Sequence, residues 1–309
     1  MGRRRRGRSV SGILVLDKSS GLSSNAALQR VKRLFNAAKA GHTGSLDPLA
    51  TGVLPLCFGE ATKFSSYLLN ADKGYRTTVA RGQVTDTGDS EGEIVARCDA
   101  SDLTLEQIEQ ALEAFRGEIE QQPPMYSALK RNGQPLYRLA RQGIEVERES
   151  RSIRIDELRV ESFQRGAVAE LDLHVSCSKG TYIRSLAMDL GAALGVGGHV
   201  TRLRRTRAGS FVLKDAISYD ALEVLANDFS AGSLDACLLP VDSALDHIPR
   251  VTLPEASAFY LRQGQPVLVP KAPCDGMVRV ASEAGEFLGL GEVLDDGRIA
   301  PRRLVASAG

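Results

Sequence analysis

From Gly41 to Pro55 the chain reads GHTGSLDPLATGVLP, and this segment combines backbone freedom with a single carboxylate. Gly41, Gly44 and Gly52 permit a tight loop and a close approach of the backbone to a ligand. Asp47 is the acid of the segment, and a proline follows it. An Asp–Pro pair is also an ordinary N-cap and first residue of a helix. The pattern alone therefore leaves both a helix start and a catalytic carboxylate open.

A second segment, SKGTYIRSLA from Ser178 to Ala187, places Tyr182 and Arg184 where a predicted strand is followed by a predicted helix. An Arg delivered into a cleft at such a junction can pair with a buried carboxylate and keep it ionised. The other interpretation is a surface Arg in the first turn of a helix. The residues alone do not choose between them.

Hydrophobic periodicity around these two segments predicts strands and helices in an irregular order. Ser23 or Ser24 would cap one helix, and Thr104 with Gln107 forms a capping-box pattern at the start of another. The predicted strands are 11–16, 74–80, 153–163 and 168–176, and the predicted helices are 24–35, 60–69, 105–115, 136–142 and 181–190. The last two strands would pair. Because a regular β-α-β rhythm is missing, the pattern indicates an α+β fold.

The composition of the chain changes near residues 245–254, which resemble a linker. Short strands separated by Gly, Asp and Pro follow, and they are typical of a small β-barrel-like module of about 60 residues. We therefore predict a basic disordered tail at 1–9, a catalytic domain at 10–247 and a small module at 248–309.

The overall composition is that of a globular protein with a core. The chain has 309 residues, of which 43% are hydrophobic and 25% charged, and the net charge is +1. Positive charge is nevertheless clustered, in Arg3 to Arg6 and again in Arg202, Arg204, Arg205 and Arg207. Local basic patches can hold phosphates whatever the net charge is. The first cluster is equally consistent with a solvated tail.

Cysteine spacing and hydropathy indicate the cellular compartment of the protein. Five cysteines are spread along the chain without C-x-x-C spacing, so neither a zinc knuckle nor a redox motif is indicated. Reduced thiols of this kind fit the cytosol. No apolar run approaches the roughly 20 residues that a membrane helix needs. We therefore predict a cytoplasmic protein that does not bind a membrane.

Taken together, these segments resemble the TruB family of tRNA pseudouridine synthases. Residues 41–55 match the catalytic motif of that family nearly end to end. Further similar segments lie along the rest of the chain, at 16–24, 73–75, 122–130, 180–184 and 291–303. The resemblance thus covers about residues 11–305. Ser19 departs from the pattern, because the family usually has proline there. That change removes a rigid turn but no functional group.

The resemblance implies a fold and a reaction. The fold would be a mixed, largely antiparallel central sheet flanked by helices, with a small C-terminal PUA-like β-barrel module. The reaction cleaves the bond between ribose C1′ and uracil N1, rotates the base and rejoins it through C5. Asp47 would act at C1′, as in glycoside hydrolysis, either as nucleophile or as base. Arg184 would pair with Asp47, and Tyr75 would stack on the uracil and serve a proton transfer.

The resemblance also implies an RNA partner. The target would be the T-loop of tRNA at position 55, where the uridine must be flipped out of its stack at a cost of a few kcal/mol. His42 would fill the vacated stack and Tyr182 would line the pocket. The phosphate-contact candidates are Lys18, Lys130, Arg202, Arg204 and Arg205.

Several negative expectations accompany this assignment. The chemistry needs no cofactor and no metal, and a guide RNA is not expected. The chain would act as a monomer on the T-arm of tRNA, while the C-terminal module touches the acceptor stem by shape and backbone. A role in helping tRNA to fold is a possible addition.

Four other functions compete with this one. Residues 88–92 read GDSEG and match G-x-S-x-G of serine hydrolases, but their acidic, polar flanks favour a surface turn over a nucleophile elbow. A zinc base deaminase would need H-x-E with P-C-x-x-C, which is missing. An RNA-binding module without chemistry, and a relative directed by guide RNA or acting on mRNA, both remain open.

Overall fold

The computed structural model describes residues 7–227 and 234–306. Its strands are β1 (Gly12–Lys18), β2 (Ala40–His42), β3 (Thr51–Phe58), β4 (Lys73–Arg81), β5 (Gln83–Thr85), β6 (Ile94–Arg97), β7 (Gly117–Gln121), β8 (Lys130–Arg131), β9 (Gln134–Pro135), β10 (Arg151–Gln164), β11 (Ala169–Cys177), β12 (Gly198–Ala208), β13 (Phe211–Val212), β14 (Ile217–Ser218), β15 (Arg250–Leu253), β16 (Val267–Leu268), β17 (Met277–Ser282), β18 (Phe287–Val293) and β19 (Arg298–Leu304). Its α-helices are α1 (Ser24–Leu34), α2 (Ser65–Asn70), α3 (Leu105–Leu112), α4 (Leu136–Ala140), α5 (Ile183–Ala193), α6 (Tyr219–Asn227) and α7 (Glu255–Arg262).

A mixed sheet forms the centre of the molecule. Its strands are ordered β14-β1-β3-β12-β4-β11-β10-β7, with β2 and β13 attached to β3 and β12. The β1–β14 and β3–β12 pairs are parallel and the other pairs are antiparallel. The prediction of a mixed, largely antiparallel central sheet flanked by helices is therefore confirmed. The predicted strands 153–163 and 168–176 do pair, as β10 and β11.

The two faces of the sheet bury different side chains, because successive residues of a strand point to opposite faces. In β1, Leu14 and Leu16 pack in the larger core, together with residues of α1, α5 and α6. Ile13 and Val15 point to the other face and pack in a second core with Phe64. Both faces are thus covered, which agrees with the nearly continuous apolar run in this strand.

The C-terminal residues form a second sheet with the order β15-β17-β18-β19-β16. It curls around a core of its own that includes Leu253, Val278, Val280 and Ile299. This arrangement agrees with the PUA-like module that the resemblance implies. The segment predicted to be a linker is not unstructured, since residues 250–253 form β15 and pair with β17.

Two local predictions need correction. Of the predicted tail at 1–9, residues 1–6 lie outside the described residues. Arg8, however, is fixed in place: its Nε donates to the Phe35 carbonyl at 2.8 Å and its Nη1 to Asp235 at 2.8 Å. The predicted helix 60–69 is divided into a 3₁₀ segment, Gly59–Phe64, and the short α2.

Candidate active site

The segment that joins β2 to β3 is a loop, which excludes the interpretation of Asp47 as the start of a helix. Residues 43–50 contain neither helix nor strand. Gly44 and Gly52 have φ angles of 84° and 101°, which favour glycine. The Ser24 hydroxyl accepts from the Leu46 amide at 2.7 Å and therefore holds the loop to the start of α1.

Arg184 pairs with Asp47, as the family resemblance implied. The Arg184 Nε lies 2.9 Å from Asp47 Oδ2, while Nη1 donates to the Thr87 carbonyl at 2.9 Å and Nη2 to the Tyr126 carbonyl at 2.7 Å. Arg184 is 4% exposed, whereas the Asp47 side chain is 38% exposed. A buried guanidinium, hydrogen-bonded through each of its three nitrogens, therefore faces a carboxylate that remains accessible to a ligand. The alternative of a surface Arg is wrong.

Sequence reasoning missed a second carboxylate beside this pair. Asp89 Oδ2 lies 3.5 Å from Arg184 Nε, and both side chains are buried. Asp89 Oδ1 accepts from the Thr87 hydroxyl at 2.7 Å and from the Glu91 amide at 3.1 Å. Asp89 belongs to residues 88–92, which were assigned to a surface turn. In the sequence, the only signal for Asp89 was that it is an acid between Gly88 and Gly92 in a polar turn.

The turn at 88–92 does not form a nucleophile elbow. It connects β5 to β6, and no helix follows it. The Ser90 amide donates to the Val200 carbonyl at 2.9 Å, and the Val200 amide donates to the Gly88 carbonyl at 3.0 Å. The turn is therefore held against β12 at Val200, and this contact places Asp89 beside Arg184.

A cavity of about 370 Å³ brings together all three predicted catalytic residues, Asp47, Tyr75 and Arg184. Loop, strand and helix side chains all contribute to its wall. The lining includes Ser45, Leu46, Asp47, Lys73, Tyr75, Tyr182, Ile183, Arg184, Leu203 and Arg205. Among the described residues that line it, Asp47 is the one acid. The lining thus includes a carboxylate, two phenols, one ammonium and two guanidinium groups.

The two tyrosines are held in different ways. Tyr75 lies in β4 and is almost completely buried, and burial raises the pKa of its phenol while the neighbouring Arg205 lowers it. Tyr182 is the residue that precedes α5. Its amide donates to Gln121 Oε1 at 2.8 Å, and Gln121 Nε2 donates to its carbonyl at 3.0 Å. Burial also raises the pKa of Tyr182, so both phenols stay protonated near neutral pH.

His42 lies just outside this cavity. It is the last residue of β2 and pairs with Leu56 of β3. Its pKa is lowered, chiefly by burial and then by the charge of Arg205. Its Nδ1 is buried without a hydrogen-bond partner. A neutral ring at the start of the catalytic loop is therefore the favoured state.

The five phosphate-contact candidates divide into two groups. Lys18 and Arg205 are each 1% exposed, and their donors bind main-chain carbonyls, so the prediction of a phosphate contact needs correction for both. Lys130 is exposed in the β8–β9 hairpin. Arg202 and Arg204 are accessible and line a groove of about 470 Å³ that shares Leu203 with the cavity. The exposure of each arginine depends on the face of β12 to which it points. The clustering of arginines in the sequence did not reveal that face.

Two further findings concern the part of the chain that the structure describes. It contains no group of three or more His, Cys, Asp and Glu side chains placed to hold a metal ion. None of its helices has the length and apolar character needed to span a bilayer.

Two solved structures share this fold. The crystal structure of a Cbf5-Nop10-Gar1 complex matches with a TM-score of 0.69 and 27% identity, over 92% of this chain and 78% of that one. The structure of an H/ACA RNP bound to a substrate RNA containing 2′-deoxyuridine matches with a TM-score of 0.71 and 22% identity, over 99% and 92%. The second likeness shows the fold alone.

The fold and the site define the chain as a pseudouridine synthase, which is an isomerase. The model of the TruB family pseudouridylate synthase N-terminal domain matches residues 32–183. The tRNA pseudouridylate synthase B C-terminal domain matches 184–246, and the pseudouridine synthase II TruB C-terminal model matches 249–305. The chain belongs to the TruB family.

Curated relatives extend over the whole chain. The tRNA pseudouridine synthase B of Pseudomonas aeruginosa (strain UCBPP-PA14) is 59% identical over 97% of both chains. The tRNA pseudouridine synthase B of Saccharophagus degradans is 55% identical over 100% of both. The resemblance inferred from the motifs is therefore confirmed.

Proposed function

We propose that this protein isomerises uridine to pseudouridine in tRNA, at position 55 of the T-loop. The observation that carries the proposal is the accessible Asp47 carboxylate, which is paired with buried Arg184 in the wall of a cavity of about 370 Å³. The names of relatives that are 55–59% identical along the whole chain support tRNA as the substrate. The T-loop position rests on the motif resemblance of residues 41–55.

In the proposed reaction, Asp47 acts at the ribose C1′ of the flipped uridine. Loss of uracil from C1′ builds positive, oxocarbenium-like charge at the sugar, and a carboxylate stabilises it. Arg184 orients Asp47 through the 2.9 Å hydrogen bond from its Nε to Oδ2, and it holds a positive charge beside that carboxylate. Asp47 would either bond to C1′ or remove a sugar proton. The bond from C1′ to N1 breaks and a bond from C1′ to C5 replaces it; the proton on C5 leaves and N1 takes up a proton, so that substrate and product are isomers.

The remaining cavity residues suit a base that must turn without being lost. Tyr75 would stack on the uracil and take part in proton transfer, and Tyr182 would line the opposite wall. Leu46, Ile183 and Leu203 supply apolar surface that excludes water. Because Asp47 is the one acid among the described lining residues, no second carboxylate is placed there to activate water. Isomerisation is thereby favoured over hydrolysis.

The outer surface would hold the T-arm. We retain Lys130, Arg202 and Arg204 as phosphate contacts, while His42 would fill the space that the flipped base leaves. Residues 10–247 would form the catalytic domain and 248–309 the PUA-like module on the acceptor stem. The protein would act in the cytoplasm as a monomer, without guide RNA or cofactor, and would also assist tRNA folding.

The decisive experiment is nucleoside analysis of an unmodified tRNA transcript after incubation with the purified protein, with neither metal nor cofactor added. We expect pseudouridine at one T-loop position with the wild type and none with Asp47→Asn. The variant should bind tRNA within about threefold of the wild type, because phosphate contacts dominate affinity. Asp189→Asn, at an exposed position of α5, is the matched control and should retain turnover.

Turnover by a folded Asp47→Asn protein would show that Asp47 is not the catalytic acid. If the wild type bound tRNA but formed no pseudouridine, the RNA-binding module without chemistry, or a different RNA substrate, would replace this proposal.

A further inference from the structure

Arg205 is the side chain that the predicted roles explain least well. It was a candidate for phosphate contact, yet it is 1% exposed and is among the largest fully buried side chains. Among the described residues no carboxylate forms an ion pair with it, unlike Arg204 beside it, which pairs with Asp17 at 2.7 Å. Burying an unpaired guanidinium is costly. The position must therefore contribute something that an apolar residue could not.

The hydrogen bonds of Arg205 connect the two ends of the catalytic loop. Its Nε donates to the Val53 carbonyl at 2.7 Å, in β3 after the loop. Its Nη2 donates to the Gly44 carbonyl at 3.2 Å, before Asp47. A guanidinium is a rigid planar fork that can reach two such acceptors at once, which an ammonium cannot do with the same geometry. Asp47 lies between the two anchored points.

Strand register places Tyr75 on the other side of the same guanidinium. β12 lies between β3 and β4 in the sheet. Arg205 is opposite Gly52 in the parallel pair and opposite Tyr75 in the antiparallel pair. The side chains of Arg205 and Tyr75 both line the active-site cavity. Burial raises the pKa of the Tyr75 phenol, and the charge of Arg205 opposes this by lowering it.

We propose that Arg205 is a positioning residue for the isomerisation, which fixes the Tyr75 ring and the Asp47 loop relative to one another across β12. This inference rests on the proposed function. The inferred role of Arg205 is internal and takes the place of the predicted phosphate contact. Its guanidinium would set the distance between Asp47, which acts at C1′, and Tyr75, which stacks on the base. Arg205 touches neither the sugar nor the reacting atoms in this account.

The test compares Arg205→Met and Arg205→Lys with the wild type in single-turnover reactions on a tRNA transcript. For Arg205→Met we expect the rate to fall roughly 100-fold, the loss that a displacement of about 1 Å in a reacting group causes. The tRNA dissociation constant should stay within about threefold, because no phosphate contact is removed. Arg205→Lys keeps the charge and should recover part of the rate. Arg30→Gln removes an exposed guanidinium that lies over the partly buried ring of Tyr219, and it should leave the rate unchanged.

Near-UV circular dichroism supplies a readout that needs no substrate. The chain has seven tyrosines and no tryptophan, so the contribution of Tyr75 is the wild-type spectrum minus that of Tyr75→Phe. Arg205→Met should lose this component and keep the signal of the other tyrosines. Loss of the whole tyrosine signal would mean that Arg205→Met is unfolded. The same two measurements, rate and Tyr75 component, would then be made on Arg205→Lys to test the inference.

Three results would overturn the inference: a folded Arg205→Met protein with a rate within twofold of the wild type, an intact Tyr75 component, or a loss that appears in tRNA affinity instead of rate. Failure of the proposed function looks different, because the wild type itself would then form no pseudouridine while the spectral effect of Arg205→Met persisted.

Discussion

Lys18 illustrates at the scale of a single residue how burial changes the role of a charge. Its ammonium donates to the carbonyls of Ser19, Leu22 and Pro48, at 2.9, 2.7 and 3.3 Å. These bonds tie the end of β1 to the residue after Asp47. The lysine thus supports the catalytic loop from below. It cannot also contact a phosphate at the surface.

Lys18 predicts a specific pH dependence of stability. Burial lowers its pKa from 10.5 to about 8, so between pH 8 and 10.5 the unfolded chain binds the proton more strongly than the folded chain. The free energy of unfolding should therefore rise with pH across that window. From pH 7.5 to 10, urea unfolding of the wild type should gain about 2 kcal/mol relative to Lys18→Met, in which this contribution is missing.

Lys73, whose pKa burial also lowers to about 8, is present in both proteins, so its contribution cancels in the comparison. Parallel pH profiles for the wild type and Lys18→Met would show that Lys18 keeps an ordinary pKa in the folded protein.

At the scale of the element, the parallel contact between β3 and β12 depends on the absence of a side chain at Gly52. A Cβ there would lie 2.2 Å from the Arg205 carbonyl oxygen, and the φ angle of 101° already disfavours any other residue. The close approach brings the end of the catalytic loop against the strand that carries Leu203 and Arg205. Glycine at this position is thus a requirement of packing as well as of backbone conformation.

Gly52→Ala should lower the free energy of unfolding by about 3 kcal/mol, because positive-φ strain and a backbone clash add together. It should also abolish turnover. Gly117→Ala is the matched control, since Gly117 has a φ of 81° but open space around it. That variant should lose about 1 kcal/mol, from strain alone. Equal losses in urea unfolding would exclude the clash as the cause.

At the scale of the whole molecule, the C-terminal module is packed onto the catalytic domain. The rings of Phe64 and Phe287 meet edge to face with centroids 5.4 Å apart. Lys63 donates to the Leu304 carbonyl at 2.9 Å, and the Ala306 amide donates to Glu60 at 2.6 Å. The second core includes Ile13 of the central sheet and Leu290 of the module. The two parts thus share buried surface.

This shared surface predicts that the chain unfolds in one cooperative transition. Phe287→Ala should lower the free energy of unfolding of the whole chain by about 2 kcal/mol, because the ring is half-buried and a fully buried Phe costs about 3–5 kcal/mol. Phe259→Ala, at an exposed ring of the same module, should change it by less than about 0.5 kcal/mol. Two separate calorimetric transitions in the wild type would contradict this account.

Local patterns in the sequence predicted those features that depend on neighbouring residues. The alternation in residues 168–176 places Leu171, Leu173 and Val175 on the buried face of β11. The Thr104–Gln107 capping box is present at the start of α3. Glycine spacing identified the catalytic loop. Each of these signals extends over a few residues and reflects backbone geometry that the local chain determines.

The motifs of the sequence determined the family and the α+β class, and the family resemblance implied the pairing of Asp47 with Arg184, although 137 positions separate those two residues. Only the tertiary structure decided that Asp89 lies beside Arg184, and that Arg205 is internal while Arg204 is accessible. The physical reason is that burial depends on which strands become neighbours. β12 lies between β3 and β4. Because successive residues of a strand point to opposite faces, Arg205 points to the active-site cavity and Arg204 to the neighbouring groove.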